Sequence, residues 1–206
     1  MAKKFRRRFQ PYAIELGHLA YHWNRLHENL GRLFWTITGI ANGVVAMNVW
    51  YSLRSDLAQR EMLRAAAMGG LNRQAVEKAR GEIKWLLDEV NTLSHQRNDA
   101  LHAPLLFKFE PEDPRPIFES AYHFGNPRAL KLKDKDLISE FVWYHERAAA
   151  LADHASVLDL WIHRPEPTLP SRPKLPTRGQ RKNHSSKPRH RQRTKSSPRQ
   201  RQPSRA

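Results

Sequence analysis

The chain contains no cysteine in its 206 residues. This absence excludes a disulfide framework, a metal site with thiolate ligands and a cysteine nucleophile. It also fits the reducing environment of the cytoplasm, where we expect the protein to be located. The length is enough for one domain of ordinary size with an additional tail.

Acidic residues are nearly absent from the two ends of the chain. Residues 164–206 contain 14 lysines and arginines but one acid, whereas residues 1–163 contain 22 bases and 19 acids. Five of those 22 bases lie in residues 1–10. The net charge of +16 therefore belongs mainly to the ends. We expect a basic N-terminal arm over residues 1–10, a helical domain over residues 11–163 and a disordered basic tail over residues 164–206.

The tail also lacks large apolar residues after Leu175. Such a segment cannot bury enough surface to order itself, so we expect a flexible arm rich in Pro, Ser and Arg. Basic arms bind nucleic acid mainly through phosphate contacts, without sequence specificity. The residues predicted to make these contacts are Arg189, Arg191, Arg193 and Lys195. The alternative is a tail that only increases solubility.

No charged residue occurs between Leu33 and Leu53. These 21 residues are long enough to span a bilayer. However, several polar residues interrupt the segment, and Gly39 and Gly43 bracket a predicted turn. We therefore expect two buried helix ends joined by a short connection and no stable membrane span. A membrane or scaffold protein that uses this segment is the alternative.

Helical periodicity dominates the rest of the chain. Apolar residues recur at alternating spacings of four and three from Tyr12 to Ile37 and again from Leu137 to Ile162, which is typical of bundle helices. The sequence predicts four helices, with Pro11 opening the first and Asp134 or Asp136 capping the last; the second runs from about residue 41 or 44 to 68 and the third from about 71 to 102. This pattern predicts an all-α fold, an antiparallel four-helix bundle.

Five prolines interrupt the helical pattern between residues 104 and 127. Residues 105–109 and 128–133 are predicted to form a short hairpin or, alternatively, an irregular excursion. A long connection in a small domain is often functional. We expect this insertion, which precedes the last helix, to line or cover a site at the end of the third helix.

A charged residue within an apolar stripe of the third helix indicates a functional site at the end of that helix. Leu86, Val90 and Leu93 lie at helical spacing, and the next position on the stripe is Arg97. Burying an unpaired charge costs several kcal/mol, so Arg97 is expected to be either paired or functional. His102 follows five residues later, just before a predicted helix end at Ala103-Pro104.

Arg97, Asn98 and His102 resemble the R-x(4–6)-H signature of the HEPN superfamily, in which a polar residue usually follows the arginine. The resemblance implies an all-helical domain in which two protomers bring their motifs together in one cleft. Many bacterial members are ribonucleases. We therefore expect a HEPN-type bundle that forms a homodimer.

The same spacing occurs twice elsewhere, at Arg147 with His154 and at Arg178 with His184. Arg147 is followed by alanine within an unbroken helical pattern, and Arg178 lies in the predicted tail. Only Arg97 combines a polar neighbour, a position in an apolar stripe and a helix end. The alternative for this pair is structural, with Arg97 bound to a carboxylate and His102 capping the helix.

The resemblance implies RNA cleavage without a metal or another cofactor. The RNA 2′-OH attacks the adjacent phosphorus and leaves a 2′,3′-cyclic phosphate. His102 would act as general acid or base. Arg97 would stabilise the charge of the transition state. Asn98 would orient His102 or bind phosphate.

Other polar residues are candidates for supporting roles. Ser52 and Asp56 occupy polar positions on one apolar face of the second helix, and His95 and Asp99 flank Arg97. Asp56 has a structural alternative, because it is spaced to form a surface ion pair with Arg60.

No metal site is predicted. His18 and His22 have the i, i+4 spacing of a metal pair, but the sequence offers no evident third ligand. His27 is expected to lie with them on a solvated face.

The predicted partners follow from these assignments. RNA is the expected ligand, and a toxin or phage-defence effector is the expected class, with an antitoxin as a possible partner. The alternative is a non-catalytic HEPN-like module that binds RNA or protein.

Overall fold

The computed structural model describes residues 2–69, 74–110 and 113–178. The described chain is mostly helical, as predicted. Its elements, in chain order, are α1 (Ala2–Thr38), α2 (Gly43–Ser52), α3 (Asp56–Met68), α4 (Gln74–His102), β1 (Leu105–Glu110), β2 (Asp113–Ser120), a 3-10 turn (Tyr122–Phe124), α5 (Pro127–Lys131) and α6 (Leu137–His163).

The two apolar seams form the centre of the core. From Leu19 to Ile37 the seam residues of α1 are buried, and so are all those of α6 from Leu137 to Ile162. The two helices pack along each other, and Asn29 of α1 donates a hydrogen bond to the carbonyl of Ala152 on α6 at 2.8 Å. The four-three spacing therefore predicted the main helix pair correctly.

Helix α1 begins much earlier than Pro11. The expected N-terminal arm is helical from Ala2, and Pro11 lies inside the helix, where it removes one backbone hydrogen bond. Aromatic contacts with β2 compensate for this loss. The rings of Phe9 and Tyr12 make edge contacts with Phe118 at centroid distances of 5.5 and 4.6 Å.

The second predicted helix is divided in two. Helix α2 ends at Ser52, Leu53 is extended, and the Ser55 side chain accepts the N–H of Ala58 to begin α3. The predicted turn before α2 is confirmed, because Gly39 has a positive φ of 65°. The predicted end of the segment at Met68 is also confirmed.

The insertion contains a hairpin, but not the predicted one. Strand β1 lies where a strand was expected, and it pairs antiparallel with β2, with Leu105 opposite Ser120. The prediction of a strand over residues 128–133 was wrong. Asn126 caps a short helix there, and Ala129 and Leu132, spaced by three, are its buried residues.

Residues 164–178, which we call the C-terminal strap, have no helix or strand and lie against the helices. Trp161 donates its indole N–H to the carbonyl of Thr168 at 2.9 Å, and Trp143 donates to Pro176 at 2.9 Å. The guanidinium of Arg172 binds both carboxylate oxygens of Glu82. The prediction of a flexible arm from Arg164 did not anticipate these contacts. The remaining predicted tail, including its phosphate-binding residues, lies outside the described residues.

Within the described residues, no helix is long and apolar enough to cross a membrane. The uncharged segment from Leu33 to Leu53 forms the end of α1, a turn and α2, so the predicted pair of helix ends is present. The prediction that both are buried was wrong for α2, because Val44, Val49 and Tyr51 are exposed.

Candidate functional site

The indole ring of Trp23 lies at the junction of α1, α3 and α4. It is 2% exposed, and the guanidinium carbon atoms of Arg97 and Arg60 lie 4.9 and 5.9 Å from its centroid. Its N–H donates to the Asp56 carboxylate at 2.8 Å. One aromatic ring therefore contacts two cations, and its N–H holds a carboxylate beside it.

Arg97 is half-buried and has few partners. It donates one hydrogen bond at 2.8 Å, to the side-chain oxygen of Asn98, and its Nε is buried without a partner among the described residues. Burial lowers the pKa of Arg97, and the charge of Asp56 opposes this effect. Arginine nevertheless stays protonated in proteins. Arg97 is thus a fixed cation with no ion pair to a described carboxylate.

Arg60 has the opposite environment. It is 3% exposed, and it donates to Asn91 at 2.6 Å, to Ser94 at 3.3 Å and to His27 at 3.3 Å. We call Arg60, His27, Gln59, Asn91 and Ser94 the Arg60 network. The expectation of a surface ion pair between Asp56 and Arg60 was wrong, because α3 turns Arg60 inward against α4.

His27 is buried within this network, although it was expected on a solvated face. Its Nε2 faces Arg60, which can only donate, so the proton lies on Nδ1, within 3.2 Å of the Gln59 side-chain oxygen. Burial lowers the pKa of His27, while Asp56 raises it. The hydrogen bond that Arg60 donates to Nε2 requires the neutral form of His27.

The predicted supporting residues Asp56 and Ser52 are separated. The carboxylate of Asp56 lies at the site, where it accepts from Trp23 and lies 3.8 Å from Nε2 of His27. Ser52 is exposed at the end of α2 and donates to the carbonyl of Val49 at 2.7 Å. The break between α2 and α3 removes the common face that an unbroken helix would have given them.

The three motif residues lie in the last turns of α4. Arg97 and Asn98 are in direct contact, whereas His102 is exposed at the last residue of the helix. Within the described part of the chain, no hydrogen bond or ion pair holds the His102 side chain. Five residues on an ideal helix place His102 about 140° from Arg97.

His95 and Asp99 lie on a different face of α4 from Arg97, as expected for residues about 200° away on a helix. They line a groove of about 490 Å³, together with Thr92, Gln96, Lys131, Leu132, Lys135, Tyr144 and Arg178. Asp99 pairs with Lys131 at 2.9 Å. The structure therefore does not bring these two predicted supporting residues to Arg97.

The second R-x(4–6)-H pair is part of the helical core. Arg147 donates to the Glu89 carboxylate, and its guanidinium lies 5.3 Å from the Trp143 ring. His154 is 4% exposed and meets the edge of Trp85. This pair therefore stabilises α4, α6 and the strap, in contrast to the exposed His102. For the third pair, Arg178 contacts Trp143, and His184 lies outside the described residues.

A cavity of about 920 Å³ lies away from this site, where the strap leaves the end of α6. It is lined by Val157, Leu160, Trp161, His163, Arg164, Glu166, Thr168, Leu169 and Pro170. None of the predicted site residues lines this cavity.

Sequence reasoning missed the Arg60 network and Trp23. One signal was available for Trp23, because a tryptophan on a buried seam needs a partner for its N–H. His27, Asn91 and Ser94 gave no comparable signal. Their contacts depend on how α1, α3 and α4 pack.

Comparisons with family models, curated proteins and solved structures give no match to this chain. The relation to the HEPN superfamily therefore depends on Arg97, Asn98 and His102 alone. The same charges at Trp23 can support either catalysis or binding of a phosphate group.

Proposed function

We propose that this protein is a HEPN-type endoribonuclease with a four-helix bundle. It would cleave RNA without a metal and leave a 2′,3′-cyclic phosphate. The observation that carries the proposal is the Arg97 guanidinium, which is half-buried, stacked on Trp23 and free of a direct carboxylate partner among the described residues. A cation held in this way is suited to an incoming phosphate.

The roles of the three motif residues follow from their positions. Arg97 binds the scissile phosphate and stabilises the charge that develops on its oxygens. Asn98 fixes the guanidinium through its hydrogen bond. His102 is exposed at the end of α4 and transfers protons to or from RNA.

Cleavage by this route needs two proton transfers, and each chain supplies one His102. A symmetric homodimer provides two copies of the motif in one cleft. The exposed end of α4 is available for such pairing. Within this proposal, a toxin or phage-defence role and an antitoxin partner remain the expected biological setting.

A second candidate is a non-catalytic module that binds RNA. It is favoured by the exposed His102, because no described residue orients its ring as a general base requires. In this case Arg97 binds phosphate and the basic tail adds affinity.

RNA cleavage in the presence of EDTA separates these two functions. The proposal predicts that wild type produces cyclic-phosphate ends and that His102→Ala, at equal folding and dimerisation, does not. A chain that ends at residue 178 keeps the strap and measures the contribution of the tail. If the dimeric wild type binds RNA but leaves it intact, the binding module is the correct function.

A further inference from the structure

A second group of polar side chains lies between α1 and α6. Glu15 and His18 are one helical turn apart on α1, and His145 faces them from α6. The Glu15 carboxylate lies 2.9 Å from Nε2 of His145 and 3.6 Å from Nδ1 of His18. One ligand atom from each of the three residues lies within 4.8 Å of the others.

These distances are close to those required by a metal centre. Zinc binds histidine nitrogen at about 2.0–2.1 Å and carboxylate oxygen at about 2.0–2.2 Å, so its ligand atoms lie within a few ångströms of each other. Small side-chain rotations would bring the three atoms into range. His18 has the freedom to rotate, because its side chain is 55% exposed.

The composition of the group favours a borderline divalent metal. Two imidazoles and one carboxylate suit Zn²⁺ better than Ca²⁺ or Mg²⁺, which prefer oxygen ligands. Three protein ligands leave a coordination position open to solvent, as in zinc sites that bind water.

A third histidine supports this arrangement. The ring of His22 stacks on His145, with centroids 5.7 Å apart and planes inclined by 17°. Its Nδ1 is buried without a hydrogen-bond partner among the described residues. Stacking holds the His145 ring in the orientation that points its Nε2 towards Glu15. Helix α6 thus supplies the second histidine of the group through His145, and His22 is not one of its three ligands.

We propose that Glu15, His18 and His145 bind a divalent transition-metal ion of the zinc class at the surface between α1 and α6. The site uses a face of α1 different from the one that carries Trp23. The proposed metal site does not depend on the proposed function. Removal of the metal ion by EDTA should therefore leave RNA cleavage intact.

The test is calorimetric titration of the full chain with Zn²⁺ alone after EDTA treatment and buffer exchange. His184 and His190 in the tail also carry imidazoles, so both are replaced by alanine in every protein used. We expect one equivalent of Zn²⁺ to bind, and His145→Ala and His18→Ala each to weaken binding at least about tenfold. Cobalt should bind the same protein and give the visible absorption of a tetrahedral site.

The matched control is His123→Ala. His123 lies 3.7 Å from Glu119 and its side chain is 55% exposed, like His18, but no third ligand lies near the pair among the described residues. This variant should bind Zn²⁺ as wild type does. A melting temperature raised by Zn²⁺ in the His123→Ala protein but not in the His18→Ala protein would confirm the site independently of calorimetry.

Two results would overturn the proposal. One is the absence of saturable binding in the protein that lacks the tail histidines. The other is equal binding by His18→Ala, Glu15→Gln and the control. Either result would mean that Glu15 forms only ion pairs with the two histidines. Because His18 is exposed, its variant is expected to fold even if His145→Ala does not.

Discussion

Arg60 and Arg97 approach the same tryptophan ring, but their surroundings differ. Arg60 is almost fully buried and donates to three side chains on two helices, whereas Arg97 is half-buried and donates to its neighbour Asn98. Trp23 contacts both guanidiniums, and the charge of Asp56 acts to raise the pKa of each against the effect of burial. The comparison indicates that Arg60 joins α1, α3 and α4, whereas Arg97 has one hydrogen bond and an Nε without a partner among the described residues.

The largest effect on stability is expected from Arg60→Ala. It leaves His27, Asn91 and Ser94 without their shared donor, and we expect a loss of about 3 kcal/mol in the free energy of unfolding. Urea denaturation measures this loss. Arg64→Ala is the matched control, because Arg64 lies one turn further along α3 and pairs with the exposed Asp88 at 2.7 Å. Such a surface pair contributes about 0.5 kcal/mol to the free energy of unfolding. Equal losses in Arg60→Ala and Arg64→Ala would therefore show that Arg60 has no special structural role.

A smaller effect is expected from Trp23→Phe. The variant removes the 2.8 Å hydrogen bond to Asp56 and weakens the contact with both guanidiniums, at a cost of about 1 kcal/mol. The loss in the free energy of unfolding caused by Trp23→Phe should be smaller in an Arg97→Ala background, because Trp23 and Arg97 interact.

Trp161→Phe provides the control for this cycle. Trp161 also donates one hydrogen bond, to Thr168 in the strap at 2.9 Å. The loss in the free energy of unfolding caused by Trp161→Phe should be the same with and without Arg97. If Trp23 and Trp161 behave alike in this cycle, the stacking of Arg97 on Trp23 has no energetic significance.

The smallest expected effect is a pH dependence from His27. Burial lowers its pKa in the folded protein, while an unfolded histidine has a pKa of about 6.5. Below about pH 6.5 the unfolded chain therefore binds a proton that folded His27 does not, and stability falls as the pH falls. Asp56 acts against this shift, while Arg60 and Arg97 act with it.

Urea denaturation between pH 8 and pH 5 measures this dependence. His27→Gln should reduce the slope without removing it, because burial also lowers the pKa of His22 and His154. An unchanged slope in His27→Gln would show that His27 is protonated in the fold, and the proposed acceptance of a hydrogen bond from Arg60 would then be wrong.

The sequence predicted correctly those features that depend only on residues within one helix. The seams of α1 and α6 and the charge at Arg97 follow from spacing within a single helix, and all were predicted. The Asp136 cap was one of two predicted alternatives, and its carboxylate accepts the N–H of Ile138. Each of these features is determined by residues within a few helical turns of it along the chain.

The sequence was less informative where the result depends on packing between elements. An unbroken second helix was predicted to place Ser52 and Asp56 on one face, but the break at residues 53–55 changes the direction of the chain. The i, i+4 spacing of Asp56 and Arg60 then suggested a surface pair. Contacts from α1 and α4 instead bury Arg60, and no local pattern contains that information.

The strap is another region whose structure depends on packing between elements. Its composition predicts disorder, yet Arg172 stacks on Trp85 at 5.0 Å and Arg178 on Trp143 at 4.6 Å. Tryptophans on α4 and α6 thus hold the arginines of the strap, while Leu169 and Leu175 of the strap pack against the core.

RNA cleavage and unfolding of Arg97→Ala together decide whether Arg97 is a functional or a structural cation. Cleavage in the presence of EDTA should fall by at least about 100-fold. The free energy of unfolding should change by less than about 1 kcal/mol, well below the loss in Arg60→Ala. Unchanged cleavage, or destabilisation equal to that of Arg60→Ala, would show that Arg97 is a second structural cation and that the proposed role in cleavage is wrong.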